Sequence, residues 1–567
     1  MAKTPTFLAK TPVDVPNRSG FAMPFENLCT GRTGTLYPVL CKRVVPNETY
    51  SEEILFEAEL PPMITNFFGR VDLCFESFFV PNHLLWGGWD NFFTHPTNNP
   101  IYPEGTPVAS QPHNIPHILI ASDDQRLKVF GRGTLGDFLG AKSDTGTGAL
   151  TPTSTSVNSL PFLAYHRIYH DHYRNTVVQA PVFYQPGVGL ANQAAGTAPY
   201  AATLPYVSGV FTSDATVKDN VQDIRMDSGS TYASHLLGDG VELTALRQAN
   251  FDLDYFTAAT PQPQAGGAAT LTFDVAVDTS TGDGTGSFSI ASLRMQNSIQ
   301  QWMERNGLAG YDYQEQNFVQ YGAYPKRNLT KALYLGNYRE TVYNRSVFQT
   351  AQDPEGNSTS NPFGGVAAKF GASMANGRNV LFDNFKASDH GYLVVIMSLR
   401  PHAYYGTGVN RDLLAKYIGD IPFPLLSGVG DQPIYNYELL GLGRDSSQKA
   451  IAESVFGYID QYANDKTCLD EVHGEFREGG QLEEFVLQRS FDISDGALQI
   501  SSDFLEIPQD YLDQVKQVKS SVVPVDYWVS IFHNFSKVSP LPVYSVPTLG
   551  RLPNTHTETI SRKKSTI

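Results

Sequence analysis

Charge is what this sequence has least of: Asp, Glu, Lys and Arg make up 17% of its 567 residues, where globular domains usually carry about 25%. Charge alone cannot cover the surface of such a chain, so much of that surface is expected to meet other protein. Cysteine is scarce too. Cys29, Cys41, Cys74 and Cys468 show neither CxxC spacing nor the density of a disulfide scaffold, so neither zinc nor an oxidising compartment is implied. No apolar run reaches membrane-spanning length, and no membrane insertion is expected. The opening Met1-Ala2-Lys3-Thr4-Pro5 lacks an apolar core with a small-residue cleavage site, so no conventional export signal is expected either.

Catalytic motifs are equally thin. No Gly-x-Ser-x-Gly elbow marks a serine nucleophile, and no Asp/Glu pair is singled out by its setting. Gly406-Thr407-Gly408-Val409-Asn410 and Gly441-Leu442-Gly443-Arg444-Asp445 lack the Lys-Ser/Thr ending of a phosphate loop and read as turns. Asp278-Thr279-Ser280-Thr281-Gly282-Asp283-Gly284 has too few carboxylates for calcium, which wants several close oxygens. In His166-Arg167-Ile168-Tyr169-His170-Asp171-His172 the first two histidines have the spacing of a zinc protease. Arg167, however, stands where that chemistry needs a general-base Glu, which favours an aromatic-packing or interface helix. The reading is therefore of a chain that is no enzyme, with no catalytic residue, no metal and no cofactor.

What the sequence does have is aromatics, 12% of the chain with 29 Tyr and 34 Phe. Aromatic, charge-poor surfaces resemble the buried cores of protein interfaces, because rings give large contact area at low rotamer entropy. The formal net charge of -16 excludes indiscriminate attraction to nucleic acid, since phosphate binding needs Lys and Arg to displace counterions. Any DNA contact must be local or delegated to a small basic partner. The local candidates are Arg562, Lys563 and Lys564 in a short basic tail, and Lys326 and Arg327 beside Tyr324-Pro325, where an aromatic could stack a single-stranded base.

Apolar runs and turn residues alternate from Leu36 to Val45, Ile54 to Leu60 and Val71 to Val80, which reads as consecutive strands. Similar runs recur only at Gly391 to Leu399 and Val522 to Phe535. The fold class is thus all-β with helical and loop insertions, a β-sandwich whose strands come from both ends of the chain. The expected organisation is an N-terminal arm at 1–35, first strands at 36–80, long insertions at 81–390, the remaining strands and loops at 391–550, and a basic tail at 551–567. Helical spacing is legible in Phe162, Tyr165, His166, Tyr169 and Tyr173, and again in Met295, Ile299, Trp302, Met303 and Asn306. Shorter helical stretches are expected at Asp412 to Ile418 and Leu482 to Leu487.

A collinear set of strings carries a family resemblance. Phe78-Phe79-Val80-Pro81-Asn82-His83-Leu84-Leu85-Trp86 with Trp89 and Phe92 comes first, then Leu160-Pro161-Phe162-Leu163-Ala164-Tyr165 with Tyr173-Arg174-Asn175. Asp254-Tyr255-Phe256-Thr257, Gly474-Glu475-Phe476-Arg477 and Pro540-Leu541-Pro542-Val543-Tyr544 follow in order. Together they resemble the major capsid proteins of the Microviridae, particularly the gokushovirus-like branch. His83 stands where the family more often has Arg, which bears on branch and host and not on the fold.

The resemblance implies an eight-stranded antiparallel viral jelly roll, sixty copies of which close a T=1 icosahedral shell around circular single-stranded DNA. It implies a virion component assembled in the bacterial host cytoplasm, with surface insertions contacting a host receptor. The implied protrusion is assigned to 185–240, 266–289 or both. Interface anchors are expected at Phe78, Trp86, Trp89, Phe92, Phe162, Tyr165, Tyr169, Tyr255 and Phe256, each with the alternative of insertion core. If they are anchors, Trp86→Ala and Trp89→Ala should leave a folded subunit that fails to assemble. The other function classes are a secreted or surface β-sandwich binding carbohydrate or a receptor, and a hydrolase on a β-sandwich.

Overall fold

The computed structural model describes, with interruptions chiefly at 143–154, residues 18–86, 115–182, 241–263, 329–346 and 379–539, together with strands at 10–16, 223–225, 369–373 and 555–561. In chain order the strands are β1 (Lys10–Pro16), β2 (Ser19–Ala22), β3 (Phe25–Gly31), β4 (Tyr37–Val44), β5 (Thr49–Leu60), β6 (Val71–Pro81), β7 (His117–Ile120), β8 (Thr155–Asn158) and β9 (Asp223–Arg225). They continue with β10 (Leu333–Thr341), β11 (Tyr343–Ser346), β12 (Lys369–Ser373), β13 (Val380–Lys386), β14 (Gly391–Pro401), β15 (Asp431–Tyr435), β16 (Val455–Asp460), β17 (Tyr527–Ser539) and β18 (Thr555–Ser561).

Two antiparallel sheets face each other. The first has the order β10-β6-β14-β4; the second runs β11-β12-β5-β17-β2, with β13 also on β5 and β3 also on β17. Period-two burial explains the second sheet. Tyr50, Glu52, Ile54, Phe56, Ala58 and Leu60 of β5 are buried, while the residues between them face outward. On β17 the inward set is Tyr527, Val529, Ile531, His533 and Phe535, so this sheet has one face in the core and one outside.

The first sheet is different, because β6 and β14 are buried almost throughout. Phe75 of β6 meets Phe56 of β5 at 5.0 Å between ring centroids, on the side facing the second sheet. Phe78, on the opposite side, meets the rings of His172 and Tyr173 at 4.9 and 5.9 Å. The helix Leu160–Ile168, followed by a π-turn at Tyr169–Tyr173, therefore caps the far face of this sheet. A sheet covered on both sides must be apolar on both sides, which is why these strands read as continuous hydrophobic runs.

A second, smaller core lies beside the sandwich around the β15–β16 hairpin, with Phe256, Ile434, Leu439, Phe456 and Phe504 inside it. Arg489 joins the two cores. Its guanidinium sits 4.4 Å from the ring of Phe251 in the main core and 4.2 Å from that of Phe504 in the second. Nη2 donates to the Phe504 carbonyl at 2.6 Å.

Several expectations change. The arm at 1–35 supplies β2 and β3, which pair with β17. The span 81–390 supplies β10, β12 and β13 to the two sheets; Gly, Asn, Arg and Glu in β10 hide its strand character because it lies at a sheet edge. The last long strand begins at Tyr527, since Pro524 has no N–H for a ladder. The stretches expected to be helical at 412–418 and 482–487 are single 3-10 turns, Arg411–Leu414 and Glu483–Phe485. Part of the basic tail, β18, pairs with β1. The helix expected at 295–306 lies outside the described residues.

Buried polar groups pin the first sheet. Asp72 on β6 accepts from Arg339 Nε at 2.5 Å and from the Thr341 hydroxyl at 2.7 Å, both on β10, and His402 Nε2 beyond β14 lies 3.1 Å away. Burial raises the pKa of this carboxyl, but the hydrogen bonds from His402, Thr341 and Arg339 outweigh it and hold the pKa below the ordinary value. A depressed carboxyl pKa stabilises the fold above the unfolded value of about 3.9, and that contribution is lost as pH falls towards the folded value. Asp72→Asn is expected to cost about 3 kcal/mol at neutral pH. Urea melts should show the gap to the parent protein narrowing as pH drops below about 4; a gap unchanged by pH would contradict this role for Asp72.

Candidate assembly surface

The imidazoles of the histidine-rich helix have partners within the subunit. His166 is fully buried; its Nδ1 accepts from Arg247 Nε at 3.0 Å and its Nε2 donates to the Leu243 carbonyl at 2.8 Å. Burial, with Arg247 alongside, pushes its pKa well below the ordinary value, so the ring is neutral. Burial also lowers the pKa of His170, to about 3, and its Nδ1 accepts from the Val182 N–H at 3.2 Å. His172 donates Nε2 to the Ala332 carbonyl at 2.7 Å. Each ring is engaged by backbone or packing, and no metal-binding cluster occurs among the described residues. Gly408, in the phosphate-loop lookalike, has φ +111, and a Cβ there would lie 2.0 Å from the Glu438 carbonyl oxygen. It is a turn.

The aromatic anchors expected at subunit contacts are inside the subunit. Phe78, Trp86, Phe162, Tyr165, Tyr169, Tyr255 and Phe256 are each no more than 5% exposed. The first five belong to the main core; Tyr255 and Phe256 belong to the second core. Tyr165 donates its hydroxyl to the Leu36 carbonyl at 2.8 Å, and Phe256 packs on Tyr405 at 4.9 Å. The physical reason is the doubly covered sheet: its outer face needs large rings, and the insertion provides them. Trp89, Phe92, Lys326, Arg327, Arg562, Lys563 and Lys564 lie outside the described residues, as do 266–289 and, apart from β9, 185–240.

The exposed apolar surface is elsewhere. Leu413, Ile418, Ile421, Phe423 and Leu425 stand 78%, 77%, 54%, 39% and 90% exposed along one loop. Its start is fixed by Asn410, whose side chain accepts from the Asp412 N–H at 2.9 Å, and by Arg411 Nη1 donating to the Pro433 carbonyl at 2.8 Å. Pro422 and Pro424 then remove two N–H donors, so the stretch joins no sheet, and only a 3-10 turn at Pro424–Leu426 follows. Single exposed leucines need no account, but five exposed apolar side chains along one loop make it a candidate contact surface.

A cleft lies nearby, for Leu413 of the loop and the cleft's Glu471, Val472 and His473 line a common pocket. Phe68, 70% exposed, stacks on Phe476 with 6.0 Å between centroids and 8° between planes. The Phe68 N–H donates to the Phe485 carbonyl at 2.6 Å, which fixes the ring's base. The two rings open onto a cleft of 510 Å³ with Val342, Val472 and Val486 in its wall and Arg70, Glu471 and His473 beside them. The start of this loop, Asp412 to Ile418, reads as helical in the sequence; Pro422 and Pro424 among apolar residues are the signal that could have found it. For the slot there was no local signal, because Phe68 and Phe476 are far apart in the chain.

A family model described as a capsid protein (F protein) matches residues 10–549. The chain belongs to that family. The capsid protein VP1 of Chlamydia phage 1 is 23% identical over 96% of this chain and 98% of its own length. That of Bdellovibrio phage phiMH2K is 23% identical over 94% of this chain and 96% of its own, and that of Spiroplasma virus 4 is 23% identical over 73% and 68%. This capsid protein is a structural component of a Microviridae-type bacteriophage virion, and its family is structural rather than enzymatic. Self-assembly into a shell follows. Among the described residues no helix is long and apolar enough to cross a membrane.

Trp86, 4% exposed in the main core, is expected to behave as a core residue. Trp86→Ala should cost about 3–5 kcal/mol of subunit stability, visible as a lowered melting temperature of the unassembled protein. A variant that melts like the parent yet forms no particles would restore Trp86 as a contact residue.

Proposed function

We propose that sixty copies of this capsid protein close a T=1 icosahedral shell around a circular single-stranded DNA genome, with assembly in the bacterial host cytoplasm. The match across residues 10–549 carries this reading. The body of the subunit is an eight-stranded jelly roll. Support comes from counting strands by lane: β2 with β3, β17, β5, and β12 with β13 make four lanes, and β10, β6, β14 and β4 make four more, eight in all, with β11 outside. Sheets closed over a core with loops at their ends suit a shell, because function then resides in the loops. Heterologous contacts repeated by rotation close the shell without free edges, and many modest apolar patches make closure cooperative.

The DNA contacts are few and local, since a subunit of net charge -16 cannot neutralise a genome in bulk. A small basic packaging protein supplies the remaining positive charge, and Arg562, Lys563, Lys564, Lys326 and Arg327 are the subunit's own cations for the task. Insertions within 185–240 and 266–289 form the outer protrusion and meet a host surface receptor.

Negative-stain microscopy of the purified protein tests this directly. Uniform spherical particles of one size are expected, and particles lacking residues 562–567 should release DNA at lower salt than intact ones. A protein that stays monomeric at every concentration and ionic strength would refute the shell, and unchanged DNA retention would remove the tail from it.

A further inference from the structure

We propose that Ile421-Pro422-Phe423-Pro424-Leu425 of one subunit seats in the cleft beside the stacked rings of Phe68 and Phe476 on a second copy of this chain. The proposal rests on the shell reading above and names one of its contacts. Three observations carry it, beginning with the exposure of both halves. Phe68 and Leu425 are among the most exposed large apolar residues, and none of residues 421–425 lines the slot of its own subunit. Among the described residues both halves keep large apolar side chains on the surface.

The chemistry of the two halves matches. Phe423 is extended at φ -113, ψ 126, between two prolines. Such a segment is stiff before it binds, so little conformational entropy is lost on docking. Proline-rich segments dock in aromatic-lined grooves, and here the extended Phe423 presents its ring just before the 3-10 turn at Pro424–Leu426. The slot offers two parallel rings over a valine wall, with Arg70, Glu471 and His473 alongside. Residues 421–425 carry no charge, so those groups keep their solvent while the apolar centre closes, the usual division between interface core and rim.

The third observation is of size: Ile421, Phe423 and Leu425 together expose on the order of 350 Å² of apolar surface, somewhat under half of the about 800 Å² per partner in a standard specific interface, which suits one of the several contacts each subunit makes in a shell. Loop and slot are different patches of one molecule, so their contact is head-to-tail. Repeated by rotation, such a contact generates the closed rings from which a shell is made.

The test mixes two single variants, Phe68→Cys and Leu425→Cys, each in a Cys468→Ser background because Cys468 is exposed. Assembled particles are oxidised mildly and run on a non-reducing gel. Covalent dimers are expected in mixed particles and absent from particles of either variant alone. A Leu425→Asp subunit should keep the parent's melting temperature and lose particle formation. Particles that form without mixed dimers, or that form normally from Leu425→Asp, overturn this pairing while leaving the shell reading intact. An intrachain bond, without dimers, in the chain carrying both substitutions also overturns it, by assigning the loop to its own slot. Parent subunits that never assemble would sink both.

Discussion

The register that sets Thr49 of β5 opposite Val538 of β17, and Glu59 opposite Trp528, is the constraint on which the rest of the subunit depends. It binds the start of the chain to its end. The chain between must leave the sandwich and return, which it does at β6, β10, β12, β13 and β14. Each excursion then covers something. The helix Leu160–Ile168 caps the first sheet, and the segments around β15 and β16 build the second core. Pairing across so many residues is slow to close and reinforces itself once closed, because it depends on loop entropy being offset by non-local contacts.

Polar groups buried at the joints keep this arrangement specific. Lys516, fully buried, pairs with Asp526 at 2.5 Å and Asp513 at 2.9 Å, and Asp526 also accepts from the Thr33 N–H and hydroxyl. The turn before β17 is thereby tied to the turn after β3. Inside the sandwich His533 Nδ1 meets Glu52 Oε1 at 2.6 Å, with Phe25 stacked on the imidazole at 4.4 Å. Arg489 links the two cores through rings on both sides. Removing one member of such a set costs several kcal/mol, since the other is left buried and uncompensated.

How much of this was legible follows from where each signal resides. Strands β4, β5, β6 and β14 were readable because both their faces, or alternate residues, are apolar over eight or more positions. The helix at 160–168 was readable from spacing, though its π-turn was not. Edge strands such as β10 and β13 escaped because half their residues face solvent or a polar neighbour. Composition announced an unusual demand for aromatics but not its address: a doubly covered sheet consumes rings just as an interface does. Phe78 and Trp86 therefore belong to the subunit's interior, while Leu425 and Phe68, ordinary in sequence, stand on its surface. Contacts between copies are the hardest to read from one chain, because their partners are not its neighbours in sequence.

Buried aromatics hold the subunit together, and the proposed contacts between subunits rest on loop-borne apolar groups. Amide hydrogen exchange, compared between unassembled subunit and purified particle, tests that division most directly. Residues 411–427 should gain at least tenfold protection on assembly, while the amides of β5, β6, β14 and β17 stay equally slow in both states. Exchange at 411–427 that is equally fast in both, with new protection appearing in the layer around Phe78 and Trp86, would contradict it.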